Sequence, residues 1–236
     1  MVAALLTAAG SGSRMGQEIP KQFIHINDKP LIIYTMERFQ NCPQVDAIVV
    51  VTLPHWMDFV WSYAKQFNIT KLRWVVPGGK TGQESICNGL KALAEDCDGE
   101  TTVMVHDGNR PMVDNEIIAD SLSVFSEHGG AVAVIPCVEA VFKSEDGVSS
   151  DLSIERAMLY RTQTPHTYTL SHLLWAHEEA KKRGITNTAA SCTLMNMLGE
   201  KVYFSKGSEK NIKLTTTDDI DIFKALLSTE KSAWLK

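Results

Sequence analysis

The sequence predicts an α/β protein built on a mainly parallel sheet with helices on both faces. Three observations carry that prediction. Five short runs rich in Val, Ile, Leu and Ala recur between residues 2 and 136, four helical patterns separate them, and several runs end in glycine-rich or small-residue turns. Strands alternating with helices in this way close into a parallel sheet covered on both sides, and a ligand crevice then lies beyond the carboxyl ends of the strands.

The first run, Val2 to Leu6, reads as a buried strand leading into Thr7-Ala8-Ala9-Gly10-Ser11-Gly12-Ser13-Arg14. A helical pattern opens at Leu31 and runs to Phe39, before the β-branched strand Ala47–Thr52. The segment from Trp56 to Phe67 reads as a helix whose Trp56, Phe59, Val60 and Tyr63 pack into a core. A third strand, Leu72–Val76, ends at Pro77-Gly78-Gly79, and Gln83 to Ala94 is amphipathic. The fourth strand, Thr102–His106, ends at Asp107-Gly108-Asn109-Arg110-Pro111. Helix Asn115–His128 and strand Gly130–Pro136 follow.

The alternation then stops. Val138–Lys143 and Gly147–Ile154 flank a Ser-Glu-Asp-Gly turn and predict a projecting hairpin. Its apolar Val141 and Phe142 call for a cover, which a second subunit would supply. A helix from Leu170 to Arg183 comes next, then a strand-like run Asn211–Thr216, and a last helix headed by Asp218 and Asp219, where carboxylates suit a helix N-terminus. Residues 1–236 are read as one domain, without repeats or linkers.

Composition narrows the function classes. A net charge of -5 argues against a nucleic-acid partner. Five scattered cysteines without a CxxC pair fit reduced thiols in a cytoplasmic protein and offer no metal site. The N-terminal apolar run is too short for a signal peptide or a membrane span.

Three loops that follow strands, at residues 8–16, 78–85 and 107–111, should meet at one rim. The first has small residues that let backbone N–H groups close on an anion, with Arg14 and Lys21 as neighbouring cations. A tight β-to-α turn with two solvated cations accounts for the same residues. Asp107, at a strand end facing that loop, suits Mg²⁺, which takes one or two carboxylates plus substrate phosphates; capping of the next turn is the plainer reading. The 78–85 loop has the flexibility to wrap a base and ribose, with Ser85 near a hydroxyl. Lys213 is a second rim cation or a solvated strand lysine. His106 packs beside the strand end and is no base. The histidines show no metal-ligand spacing and the serines no triad. Gly10-x-Gly12 after a strand invites a dinucleotide reading, which fails because Pro20 interrupts the following helix and the second strand ends without an acidic ribose ligand.

Taken in order, Ala8–Met15, Pro20-Lys21-Gln22, Gly78-Gly79 with Ser85 and Asn88-Gly89-Leu90, His106-Asp107 with Arg110-Pro111, Gln163-Thr164-Pro165 and Asn211-Ile212-Lys213 resemble the cytidylyltransferases of 2-C-methyl-D-erythritol 4-phosphate and ribitol 5-phosphate. The resemblance covers nearly the whole chain. It implies a Rossmann-like core of the nucleotide-diphospho-sugar transferase type and a homodimer whose projecting arms, about residues 137–158, complete each other's acceptor sites.

The resemblance also implies roles. Ala8, Ala9, Gly10, Ser11 and Gly12 would cradle the CTP phosphates, with Arg14 and Lys21 stabilising the transition state. Gly79 and Ser85 would contact cytosine and ribose, Gly108 would line the base, Asp107 would hold Mg²⁺, and Arg156 and Lys213 would position the acceptor phosphate. The sequence departs from the family pattern at Glu139-Ala140, where the arm usually carries Asp-Thr, at Ala189-Ala190 in place of Thr-Asp, and at Gly82 in place of an arginine. The departures fall mainly on the acceptor half. The expected reaction is CMP transfer from CTP to a small polyol phosphate, 2-C-methyl-D-erythritol 4-phosphate first. The alternatives are ribitol 5-phosphate or another sugar-alcohol phosphate serving a surface polysaccharide, and, more remotely, a CTP-binding relative without catalysis.

Overall fold

The computed structural model describes residues 1–10 and 19–233, with side chains as far as 229. In chain order the elements are β1 (Val2–Ala8), β2 (His25–Ile26), β3 (Lys29–Pro30), α1 (Leu31–Gln40), β4 (Ala47–Thr52), α2 (Met57–Gln66), β5 (Leu72–Pro77), α3 (Gly82–Asp96), β6 (Thr102–Asp107), α4 (Asn115–His128) and β7 (Gly130–Pro136). They continue with β8 (Val141–Lys143), β9 (Leu152–Ile154), β10 (Tyr160–Thr169), α5 (Leu170–Lys182), α6 (Ser191–Leu198), β11 (Phe204–Lys206) and α7 (Thr217–Ala233).

Seven strands form the main sheet in the order β11-β7-β10-β6-β1-β4-β5. Neighbours run parallel except at β10, which lies antiparallel to both β6 and β7. Period-two alternation explains the two cores. Ala4, Leu6 and Ala8 of β1 face α1, α2 and α4, whereas Ala3 and Leu5 face α3, α5 and α6. Helices therefore cover both faces, as the alternation predicts. A third cluster joins Phe223 and Leu227 of α7 to Ile26, Leu31, Met112 and Leu214. Burying one such leucine fully is worth roughly 1.5–3 kcal/mol.

Register places the site. Ala8 pairs with Thr52, Thr7 with Asp107, and Thr52 with Pro77. The carboxyl ends of β1, β4, β5 and β6 thus finish level, and the loops beyond them emerge along one rim.

Several details differ from the sequence reading. The predicted strands and helices up to Pro136 are present, with bounds shifted by a few residues at most. Strand β10 and helix α6 were not expected. β10 carries Thr, Gln, His and a proline, yet Gln163–Tyr168 are buried in mid-sheet, because side-chain hydrogen bonds satisfy most of their polar groups. Asn211–Thr216 is irregular rather than a strand. Asn109 accounts for this: its side-chain amide donates to the Leu214 carbonyl and its own carbonyl accepts from the Leu214 N–H. Phe59 is exposed, not core, while Val60 is buried. The hairpin β8–β9 is present, paired Val141 with Ile154. Its tip is fastened by Asp146, whose carboxylate accepts from the Val148 and Ser149 amides at 2.9 Å; those bonds hold it below the usual carboxylate range.

Candidate active site

A cleft of about 710 Å³ opens at the rim, lined by the ends of β1 and β6, the loop into α3, the middle of β10, and the segment that enters α6. Each wall is held by a specific device.

The β1 end is strapped by Gln22, which is buried. Its side-chain amide donates to the carbonyls of Ala8, at 2.5 Å, and Gly10, at 3.0 Å. Lys21, one residue earlier on a single 3-10 turn (Lys21–Phe23), lines the cleft. The loop into α3 is shaped by two hydroxyls. Thr81 Oγ1 accepts from the Glu84 amide and caps the helix. Ser85 Oγ accepts from the Gly79 amide at 3.0 Å and donates to the Thr81 carbonyl at 2.9 Å. Gly78 tolerates no side chain, because an added Cβ would fall on the Ala9 methyl. The loop into α3 therefore packs against the end of β1 at Ala9, and the N-terminus of α3 opens into the cleft, which suits an anion.

At the end of β6, Asp107 joins two cations. Its Oδ2 accepts from Arg110 Nε and its Oδ1 from Lys213 Nζ, both at 2.9 Å. Burial alone would raise its pKa, but Lys213 and Arg110 outweigh that and hold it well below the usual carboxylate range. Arg110 also donates from Nη1 to the Asn211 carbonyl at 2.6 Å. Asn211 donates to the Thr164 carbonyl at 2.9 Å, so the segment bearing Lys213 is tied to both β6 and β10. On the opposite wall, Gln83 Nε2 donates to the Ile185 carbonyl, and its Oε1 accepts from Thr188 N and Oγ1 at 3.0 and 3.2 Å.

The structure therefore brings together Ala8, Ala9, Gly10, Lys21, Gly79, Ser85, Asp107 and Lys213 in one cleft. Ser11, Gly12 and Arg14 lie outside the described residues. Gly108 does not line the cleft; it sits behind the rim, where a Cβ would come within 2.8 Å of the Thr7 carbonyl and the Ile32 methyl. Its lack of a side chain serves close packing of β6 on β1. Arg156 also stands apart, exposed on the arm, donating to the Val138 carbonyl at 2.8 Å. Glu139 and Ala140 are exposed on the same arm. Ala189 and Ala190 line the cleft, together with Thr162, Thr164, Thr188, Ser191 and Thr193. Gln22 and Gln83 were missed as structural members of the site, although Gln22 stands in the quoted Pro20-Lys21-Gln22 motif.

A model of the family described as IspD, 2-C-methyl-D-erythritol 4-phosphate cytidylyltransferase, matches residues 2–229. The chain belongs to this IspD family. It is thereby a CTP-dependent nucleotidyltransferase. Among its relatives, a ribitol-5-phosphate cytidylyltransferase of Lacticaseibacillus paracasei is 42% identical, over 96% of this chain and 98% of that one. A 2-C-methyl-D-erythritol 4-phosphate cytidylyltransferase of Clostridium acetobutylicum is 38% identical, over 96% and 97%. The solved 4-diphosphocytidyl-2C-methyl-D-erythritol synthase of Anaerococcus prevotii aligns with a TM-score of 0.82 over 96% of each chain, at 23% identity, a likeness of fold. The IspD-family relatives thus favour the ribitol alternative over the methylerythritol reading that the sequence put first. Among the described residues, no helix is long and apolar enough to cross a membrane.

Proposed function

We propose that the protein transfers CMP from CTP to ribitol 5-phosphate and releases pyrophosphate. The observation that carries this reading is that the Arg110–Asp107–Lys213 cluster shares one cleft with Ala8, Ala9 and Gly10 and with the glycine loop into α3. The greater similarity to a ribitol-5-phosphate enzyme supports this acceptor. A linear pentitol offers one more hydroxyl than methylerythritol and no methyl branch, and the cleft carries the hydroxyls of Thr162 and Thr193 among its lining. A site that hydrogen-bonds hydroxyls discriminates strongly against analogues that lack them.

Positioning and charge neutralisation supply the chemistry. The acceptor phosphate is already anionic, so its oxygen attacks the α-phosphorus of CTP without a strong general base; the new P–O bond forms as the bond to the β-phosphate oxygen breaks. Ala8, Ala9 and Gly10, together with Ser11 and Gly12, cradle the phosphates. Lys21 and Arg14 neutralise charge that builds on the α-phosphoryl oxygens, and Lys21, which lines the cleft, lies where that charge develops. Gly79 and Ser85 shape the nucleoside wall. Lys213, aimed by Asp107, meets the acceptor phosphate, and Arg156 of a second copy reaches it from outside.

Mg²⁺ fits this donor set through Asp107 alone. Each of its carboxylate oxygens accepts one cation and keeps a further lone pair. Among the described residues there is no cluster of three ligating side chains, so a Mg²⁺ at Asp107 would be carried chiefly by substrate phosphates. When bound it would neutralise the leaving pyrophosphate. A homodimer belongs to the same proposal. The arm leaves Val138, Phe142, Val148, Leu152 and Met158 more than half exposed, and a second copy is the cover proposed for them. A cytoplasmic location belongs to the same proposal, as the five scattered cysteines without a CxxC pair agree with reduced thiols.

The deciding experiment measures pyrophosphate release from CTP with Mg²⁺ and a panel of ribitol, methylerythritol, arabinitol, xylitol and glycerol phosphates. Release with ribitol 5-phosphate, and its fall by about 100-fold or more in Lys213→Ala, is expected. Preference for methylerythritol phosphate by kcat/KM would overturn the acceptor. Silence across the panel without CTP binding would overturn the reaction.

A further inference from the structure

His106 takes no part in the chemistry described above, yet it is fully buried directly behind it, on β6 between the sheet and the Asp107–Arg110 turn. Both ring nitrogens are engaged. Nε2 stands 3.1 Å from the Arg110 carbonyl and Nδ1 stands 2.9 Å from Thr164 Oγ1. The same Thr164 oxygen accepts from the Asp107 amide at 3.1 Å. Phe39 meets the ring edge-on at 5.1 Å between centroids and fixes its plane.

The partners dictate the proton positions. A carbonyl only accepts, so Nε2 carries hydrogen. The ring is fully buried against the Thr164 hydroxyl, the Arg110 carbonyl and the Phe39 ring, with no carboxylate on either nitrogen to support a charge, and Nδ1 is therefore a bare acceptor. Thr164 must then donate to Nδ1 while its lone pair receives the Asp107 amide. The chain runs in one direction, from Asp107 N–H through Thr164 O–H to the imidazole, and from the imidazole N–H to the Arg110 carbonyl. Such chains strengthen one another in a dry interior. The opposite tautomer would set a lone pair against the Arg110 carbonyl.

We infer that His106, as its Nε2–H tautomer, is a positioning residue that fixes both ends of the Asp107–Arg110 turn and so aims the cationic cluster at the reacting phosphates. The main chain of that turn is pinned at the Asp107 amide through Thr164 and at the Arg110 carbonyl directly. Its side chains are the two members of the cluster to which Lys213 attaches. Displacement of such groups by about 1 Å costs on the order of 100-fold in rate. The kinetic part of this inference rests on the cytidylyl-transfer reading; the tautomer and the order of the turn do not.

Three variants separate positioning from packing. His106→Leu fills the space but leaves the Thr164 hydroxyl and the Arg110 carbonyl unpartnered. The His106→Gln amide can donate toward Arg110, and the His106→Asn oxygen can stand where Nδ1 stood. With CTP and ribitol 5-phosphate, the leucine variant should lose about tenfold or more in kcat with CTP affinity changed by less than about threefold, and the polar variants should recover part of it. Amide exchange at Asp107 should accelerate in the leucine variant, and the wild-type imidazole ¹⁵N spectrum should show hydrogen on Nε2 alone. Wild-type kcat in the leucine variant, equal losses in all three, or a protonated Nδ1 would overturn the inference. If the leucine variant fails to fold, the comparison of Gln with Asn and the wild-type spectrum decide. If the wild type transfers no CMP, the functional proposal falls, and exchange and tautomer still judge this one.

Discussion

Acidification from pH 7 to pH 5 should strip stability from this protein well before its carboxylates titrate. Three buried histidines, His106, His166 and His177, have pKa values lowered from 6.5 to about 4, in each case first by burial. The unfolded chain therefore binds protons that the folded chain refuses. Stability is full above the unfolded pKa and falls as the pH drops from 6.5 toward 4. At pH 5 each ring costs about 2 kcal/mol relative to alkaline pH, and about 3 kcal/mol once both states are protonated. Three such rings amount to about 6 kcal/mol at pH 5, comparable with the whole 5–15 kcal/mol that holds a typical domain together. Asp107 does not confuse the window. Its pKa is depressed, so its contribution begins to fade only below the unfolded carboxylate value of 3.8. Urea unfolding followed by circular dichroism at pH 7.5, 6 and 5 measures the loss. Imidazole ¹⁵N spectra of the folded protein at pH 5 should show these three of the seven rings still neutral. A free energy of unfolding that stays level from pH 7.5 to 5, or protonation of all seven rings in the folded state, would refute the reasoning.

Two further outcomes follow from the geometry. Gln22→Ala removes the buried amide that holds the Ala8 and Gly10 carbonyls; it should cost about 1–3 kcal/mol in unfolding free energy and weaken CTP binding by about tenfold, and calorimetry showing wild-type CTP affinity would remove the strap role. Phe142→Asp, on an exposed face of the arm, should convert the dimer to monomer in sedimentation at micromolar concentration, with acceptor KM rising more than CTP KM. A wild-type protein that sediments as a monomer would end the dimer proposal.

The first half of the chain was legible because its signals are local. Runs such as Ala47–Thr52 and Gly130–Pro136 are almost continuously apolar, as strands buried on both faces read, and their observed bounds match the reading. Beyond Pro136 the local signals weaken. β10 holds Gln163 and Thr164 in mid-sheet, and those polar side chains are tolerated there by partners far away in sequence, Ser208, Asn211 and His106. No periodicity advertises such partners.

The same division runs through the site. The sequence by itself determined the ligand chemistry: small residues at the end of β1, cations near them, and a carboxylate after β6 are residue types that phosphate recognition requires. Only the tertiary structure decided which of them act together. Lys213 reaches Asp107 across 106 positions because Asn109 pins the adjacent Leu214 beside the end of β6. Gly108, expected to line the base, lies behind the rim, where the Thr7 carbonyl and Ile32 leave no room for a side chain. Arg156 was carried away from the cleft on the arm. Composition and spacing act over a few residues, whereas convergence of charges is set by sheet register and by the hydrogen bonds that fasten irregular segments to it.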